Sequence, residues 1–189
     1  MKGKIIILSA PSGTGKSTII SELMKKPDLR LGFSISATSR KPRGQETDGK
    51  DYFFLTEQEF QDKIDRGEFV EWEEVYAGTR YGTLESEVSR VTDSGHNLIM
   101  DVDVKGALNI KRRYGNEALS VFVMPPDMAT LEKRLRSRGT DSEDTIARRL
   151  AKASYEMSFS KDFDTSVVND SLPDAVEKIR QEIVNFTDI

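Results

Sequence analysis

The stretch "SAPSGTGKST" (Ser9 to Thr18) follows at once on "KIIILS" (Lys4 to Ser9), whose interior is wholly apolar and mostly β-branched. A segment of that kind has no face to offer water, so it suits a parallel strand covered on both sides. Gly13 and Gly15 then turn the chain. A helix is predicted from about Lys16 to Lys25, with Ile19, Ile20, Leu23 and Met24 on one face and a stop before Pro27. Strand, glycine loop and helix in this order restrict the chain to a layered α/β design. The loop matches A/G-x-x-x-x-G-K-S/T, a pattern that arises by chance in roughly one chain in a hundred of this length.

Such a loop is built to hold phosphate. Successive backbone N–H groups wrap the oxygens, and the helix N-terminus adds partial positive charge. Ala10, Pro11, Ser12, Gly13, Thr14, Gly15, Lys16, Ser17 and Thr18 are therefore candidates for binding a nucleoside triphosphate. Lys16 would reach the β and γ oxygens and Ser17 would hold Mg²⁺. Ala10 stands where G-x-x-x-x-G-K-S/T has its first glycine, which harms the loop only if that position needs positive φ. Asp101 ends the apolar run of another strand and would face a metal-bound water opposite Ser17. Taken alone, the same position suits a turn or a cap.

Further parallel strands are predicted in "NLIMDVDV" (Asn97 to Val104), "LSVFVM" (Leu119 to Met124) and "TSVVN" (Thr165 to Asn169). Helices fall between and after them, at about Val104 to Arg113, Met128 to Ser137, Ser142 to Ser158 and Pro173 to Phe186. This alternation marks an α/β domain with a parallel sheet. From Phe33 to about Gly82 the alternation breaks. That region is rich in aromatic and β-forming residues, has one helical piece near Glu57 to Arg66, and reads as a small inserted mixed sheet with turns at Gly44, Gly49 and Gly78. His96, in "DSGHN", reads as an exposed turn residue without catalytic duty.

The 189 residues suffice for one well-cored domain with an insert. A net charge of -4 argues against a nucleic-acid partner, which would need a basic stripe. The absence of cysteine excludes disulfides, thiolate catalysis and cysteine-bound zinc. No run is long enough to span a membrane, and the apolar stretch near the start is too short for a secretory signal, so a cytoplasmic location is expected. Oligomeric state is left open.

A guanine-nucleotide switch would need an N-K-x-D base reader, which the sequence lacks. In "SRKPRG", by contrast, Arg40 and Arg43 flank Pro42, where two guanidinium forks can converge on a second anion, with Tyr52 and Tyr81 as phenolic donors. A solvated basic turn is the plain alternative. Taken in order, "SAPSGTGKST", "FSISATSRKPRG", "DGKDYFF", "GEFVEW", "YGT", "LIMDVDVKGA" and "VVND" resemble the guanylate kinase family over nearly the whole chain.

That resemblance implies a single guanylate kinase-like α/β domain. Its P-loop NTPase parallel-sheet core would take about 1–32, 90–126 and 150–189, a small mixed β GMP-binding region about 33–89, and a helical lid about 127–149. It implies reversible, Mg²⁺-assisted in-line transfer of the γ-phosphoryl group of ATP to GMP, giving ADP and GDP. By the same resemblance Ser36, Thr83, Glu71 and Asp103 read guanine, Arg40, Arg43, Tyr52 and Tyr81 hold the monophosphate, and Asp101 serves both GMP and the metal. Lys16, Arg138 and Arg149 are the catalytic set, and Arg134, Arg138 and Asn169 complete the ATP site; Asn169 also suits a plain turn.

The chemistry fits those assignments. Guanine offers N1–H and N2–H₂ as adjacent donors to one carboxylate, whereas adenine has an acceptor at N1. An unmet buried charge of that kind can discriminate by ~10⁴-fold or more. Phe69 and Trp72 beside Glu71 suggest partial desolvation; the alternative is a strand carboxylate facing solvent. In "RLRSRGTDSEDTIARRL", Thr140 with Glu143 reads as a capping box, and the arginines on either side suit a lid that closes on the transferring phosphoryl group and shuts out water. Arg148 and Arg149 point about 100° apart, so at least one faces solvent. Two other functions stay open: a non-catalytic guanylate kinase-like interaction module, against which Lys16, Ser17 and the lid arginines speak, and a kinase for another nucleoside monophosphate, against which Glu71 and Ser36 speak.

Overall fold

The computed structural model describes residues 2–76, 78–137, 139 and 142–188, without the side chains of Val75 and Tyr76. Its strands are β1 (Ile5–Ser9), β2 (Leu31–Phe33), β3 (Ala37–Thr38), β4 (Phe53–Phe54), β5 (Phe69–Tyr76), β6 (Thr79–Leu84), β7 (Asn97–Asp101), β8 (Ala118–Met124) and β9 (Thr165–Val168). Its helices are α1 (Lys16–Met24), α2 (Glu57–Asp65), α3 (Glu85–Asp93), α4 (Val104–Tyr114), α5 (Met128–Ser137), α6 (Glu143–Met157) and α7 (Leu172–Thr187). One sheet has the order β2-β7-β1-β8-β9 and the other β4-β3-β6-β5. The chain divides into two compact units, one of Met1–Gly3 with Gly32–Leu98, the other of Lys4–Leu31 with Ile99–Ile189.

In the second unit β1 pairs in parallel with β8, and β8 with β9. All of β1 is buried, as its unbroken apolar run requires. Against Ile6, Leu8, Val121 and Val123 pack Ile19, Ile20 and Leu23 of α1 and Ala175, Val176, Ile179 and Ile183 of α7. Each fully buried branched aliphatic side chain contributes about 1.5–3 kcal/mol relative to exposure. Met24, expected on the same face, is instead 38% exposed, because three apolar positions already fill the inward stripe of a short helix. Helices α5 and α6 form a small core of their own from Leu131, Leu135 and Ala153. The cap of α6 differs from expectation: Thr140 lies outside the described residues, and the helix is capped by Ser142, whose Oγ accepts the Thr145 N–H at 3.3 Å.

The first unit holds the expected mixed sheet, with β3 parallel to β4 and antiparallel to β6, and β5 antiparallel to β6. Helix α2 starts at a full capping box between Thr56 and Glu59 and buries Phe60 against the Phe69 ring, centroids 4.4 Å apart. Helix α3 lies where the sequence reading had only the end of the insert. Its N-cap is Leu84, without a side-chain cap, so no start signal marks it, yet Val88 and Val91 are buried on one face. Among the described residues no helix is long and apolar enough to cross a membrane.

A polar staple joins α4 to the strands of the second unit. Asp164 Oδ2 accepts the N–H and Oγ–H of Ser120, both at 2.8 Å, and lies 2.8 Å from Lys111 Nζ. Burial opposes the charged carboxyl, but the Lys111 ammonium and the Ser120 donors outweigh it and lower its pKa. A carboxyl lowered on folding stabilises above its unfolded pKa and loses that contribution as pH falls through the folded value. Asp164→Asn is expected to cost about 1–2 kcal/mol at pH 7, allowing for partial exposure. Urea unfolding followed from pH 7 to acid should show this gap closing below about pH 4.

Candidate active site

Leaving β1, the chain enters α1 through residues 10–15. Thr14 is fully buried and donates from both its N–H and its Oγ1 to Pro11 O, at 3.2 and 2.7 Å. The carbonyl of Thr14 accepts Asn169 Nδ2 at 2.7 Å, while the N–H of Asn169 donates to Met124 O at 2.8 Å. Gly13 and Gly15 have φ of 91° and 97°, and a Cβ on Gly15 would lie 2.7 Å from Asn169 Nδ2. Both positions therefore demand glycine. Ala10 is not among the residues with positive φ, so its methyl group is no obstacle. No side chain caps α1, which leaves the first N–H groups of the helix for an anion.

Around the loop lies a cleft of about 420 Å³, lined by loop residues, by Ser17 and Thr18, by Asp101, Val102 and Asp103, and by Arg149, Lys152 and Glu156 of α6. Lys16 Nζ is 2.5 Å from Asp101 Oδ1 and donates to Val102 O at 3.1 Å. The predicted strand to Val104 stops at Asp101, because Asp103 caps α4 with Oδ1 on the Gly106 N–H at 2.8 Å. Arg134 Nη2 donates to Asn169 O at 3.0 Å. Arg148 is exposed and Arg149 lines the cleft; Arg138 lies outside the described residues. Sequence reasoning missed Lys152 and Glu156, although they follow Arg149 at helical spacing. Burial raises the pKa of Glu156 against the opposing pull of Lys152, 3.6 Å away.

Among the described residues no group of three or more His, Asp or Glu side chains is placed to hold a metal. Mg²⁺ does not ask for one, since it keeps several waters and takes one or two protein oxygens beside phosphate. The hydroxyl of Ser17 and the carboxylate of Asp101 are hard oxygen donors on the wall of one cleft, a set that fits this ion.

In the first unit the β5–β6 register sets Glu71 opposite Thr83, and Thr83 Oγ1 donates to Glu71 Oε1 at 3.0 Å. Thr83 is buried and Glu71 half-buried. The desolvation expected from Trp72 is not there. Strand alternation turns Trp72 to the other face, where it is 43% exposed with the Arg80 guanidinium 5.8 Å from its ring. Ser36 follows Ile35, whose N–H donates to the buried Glu87 at 3.0 Å, so α3 anchors that segment.

Arg40, Tyr52 and Tyr81 come together. Arg40 Nε donates to Tyr81 Oη at 3.0 Å and the guanidinium lies 4.9 Å from the Tyr52 ring, which meets Tyr81 edge-on at 5.9 Å. Arg43 joins them through its N–H, bonded at 2.7 Å to Glu46. Glu46, which sequence reasoning also missed, is the ion-pair partner of Arg40 at 2.6 Å. His96 is exposed and bonded to Ser94, as a turn residue.

The fold and its phosphate loop place the chain among the P-loop nucleoside monophosphate kinases. The family model for guanylate kinase matches residues 2–185. Guanylate kinase of Porphyromonas gingivalis is 52% identical over 97% of this chain and 97% of its own, and that of Thermotoga maritima 45% identical over 95% and 85%. The crystal structure of guanylate kinase from Anaplasma phagocytophilum superposes with a TM-score of 0.76 at 28% identity, covering 98% of this chain and 87% of the other. The chain belongs to the guanylate kinase family, and its reaction converts ATP and GMP to ADP and GDP.

Gly15→Ala is expected to cost about 1–2 kcal/mol in stability from its left-handed backbone alone. The Asn169 brace should shift with it, so ATP affinity measured by calorimetry should fall while GMP affinity stays near wild type.

Proposed function

We propose that the two groups of side chains divide the reaction between donor and acceptor. The loop 10–18 takes the triphosphate on its backbone N–H groups, and Lys16 exchanges Asp101 for the β and γ oxygens. Arg149 neutralises charge on the transferring group, a role that the family resemblance also gives to Arg138. Arg134 and Asn169, already bonded to each other, form the adenine side. Ser17 and Asp101 would hold Mg²⁺, which would supply positive charge to the triphosphate. No covalent intermediate is needed, because positioning and electrostatics suffice for in-line transfer.

On the acceptor side Arg40, Arg43, Tyr52 and Tyr81 hold the phosphate of GMP, Ser36, Glu71, Thr83 and Asp103 read its base, and Asp101 serves both GMP and the metal. The observation that carries this reading is the Glu71–Thr83 pair: the threonine hydroxyl fixes a carboxylate on a sheet surface, as recognition of the adjacent N1–H and N2–H₂ donors of guanine requires. We further assign 33–89 to the GMP region and 127–149 to a lid within one domain. A cytoplasmic location rests on the nucleotide substrates themselves.

The test is ADP formation from ATP and Mg²⁺ with GMP, AMP, CMP, UMP or no acceptor. Turnover with GMP alone is expected. Lys16→Ala should lower it by about 10²-fold or more without unfolding the protein. Glu71→Gln should raise KM for GMP by about tenfold or more and leave KM for ATP unchanged; equal losses for both nucleotides would remove Glu71 from the base site.

A further inference from the structure

Arg40, read above as a phosphate ligand, already has most of its hydrogen-bonding capacity engaged. A guanidinium carries five N–H groups. Nε donates to Tyr81 Oη at 3.0 Å, Nη1 to Lys41 O at 3.0 Å and to Glu46 Oε2 at 2.6 Å, and Nη2 to Glu46 Oε1 at 2.8 Å. One Nη2 proton is left without a partner among the described residues. The Glu46 contact is a two-pronged fork, which fixes the plane of the guanidinium as a single bond cannot. The same carboxylate also accepts the N–H of Arg43 at 2.7 Å, so it ties both arginines of the motif to one point.

The surroundings reinforce that fixation. The Arg40 side chain is only 10% exposed, and its guanidinium lies 4.9 Å from the Tyr52 ring and 5.5 Å from that of Phe54. Hydrogen bonds from Arg40, then from the N–H of Arg43, pull the pKa of Glu46 down to about 2, so the pair stays ionised near neutral pH. Tyr81, having accepted a bond from Nε, keeps its own phenolic proton to donate.

Building on the reading that Arg40 and Tyr81 bind the phosphate of GMP, we propose that Glu46 is the positioning residue of that subsite. It orients Arg40 so that the remaining Nη2 proton and the Tyr81 hydroxyl proton are presented together to the acceptor phosphate. Because the Arg40–Glu46 pair is close to neutral, Arg40 supplies direction to the bound dianion, and Arg43 supplies the net charge.

The experiment is a double-mutant cycle on the full chain, with KM for GMP and for ATP measured separately and thermal melting alongside. Glu46→Gln is expected to lower kcat/KM for GMP by about tenfold or more and to change KM for ATP by less than about twofold. Glu46→Asp, which keeps the charge, should restore part of the loss and serves in place of Glu46→Gln if that variant melts early. In an Arg40→Met background Glu46→Gln should cost less than about twofold, since the residue it acts through is gone. If Arg40→Met impairs GMP use and Glu46→Gln does not, or if the two losses multiply, the positioning role is overturned while the substrate reading stands. If Arg40→Met leaves GMP use unchanged, the phosphate reading of Arg40 falls, and the role of Glu46 with it.

Discussion

Thr14 holds the phosphate loop in shape because its polar atoms are tied to fixed points. Its N–H and hydroxyl bond Pro11, and its carbonyl accepts the amide of Asn169, whose own N–H is tied to Met124. Residues 14, 124 and 169 are distant in sequence, so the loop keeps its form only while β1, β8 and β9 stay in register. The loop and Asn169 follow directly on the carboxyl ends of β1 and β9, and Asp101 is the last residue of β7, all at the edge where open α/β sheets bind their ligands. Sheet order is thus the condition for the site, and the buried branched side chains of β1 and β8 are what sheet order rests on.

Much of this was legible in the sequence because local signals and burial agree there. The strand at Ile5–Ser9, the glycine loop and helix α5 fall where periodicity and glycine placement put them. Helix α3 was missed because charge dominates "ESEVSRVTD" and Leu84 gives no capping signal; only Val88 and Val91 mark its inward face. Glu71 is half-buried, in keeping with partial desolvation, but the part expected of Trp72 was misjudged for a different reason. Neighbours in sequence are not neighbours on a strand face, so Trp72 says nothing about the environment of the residue before it.

The site residues show a similar divide. Motif spacing brought out Lys16, Ser17 and Asp101, and the family resemblance Arg149, all on one cleft; motif spacing also brought out Arg40 with Tyr52 and Tyr81, which share another group of contacts. It did not bring out Glu46, Lys152 or Glu156, whose importance comes from what they touch. Asn169 was singled out for the adenine side; what the structure shows is its buried amide bracing the loop. A side chain that supports a binding group leaves a weaker trace in sequence than the group itself, because many arrangements of acceptor and spacing can give that support.

With its ammonium 2.5 Å from a carboxylate, Lys16 adds little net charge to the cleft. An anion entering there meets backbone N–H groups together with Arg149 and Lys152, and it must break an ion pair to gain Lys16. On the proposed donor site, phosphate oxygens would take the ammonium and a divalent cation the carboxylate, so a metal-bound triphosphate would satisfy both halves of that pair. Under that reading the resting contact would act as a charge-composition filter, favouring a metal-bound polyphosphate over a bare anion before any base or sugar is read.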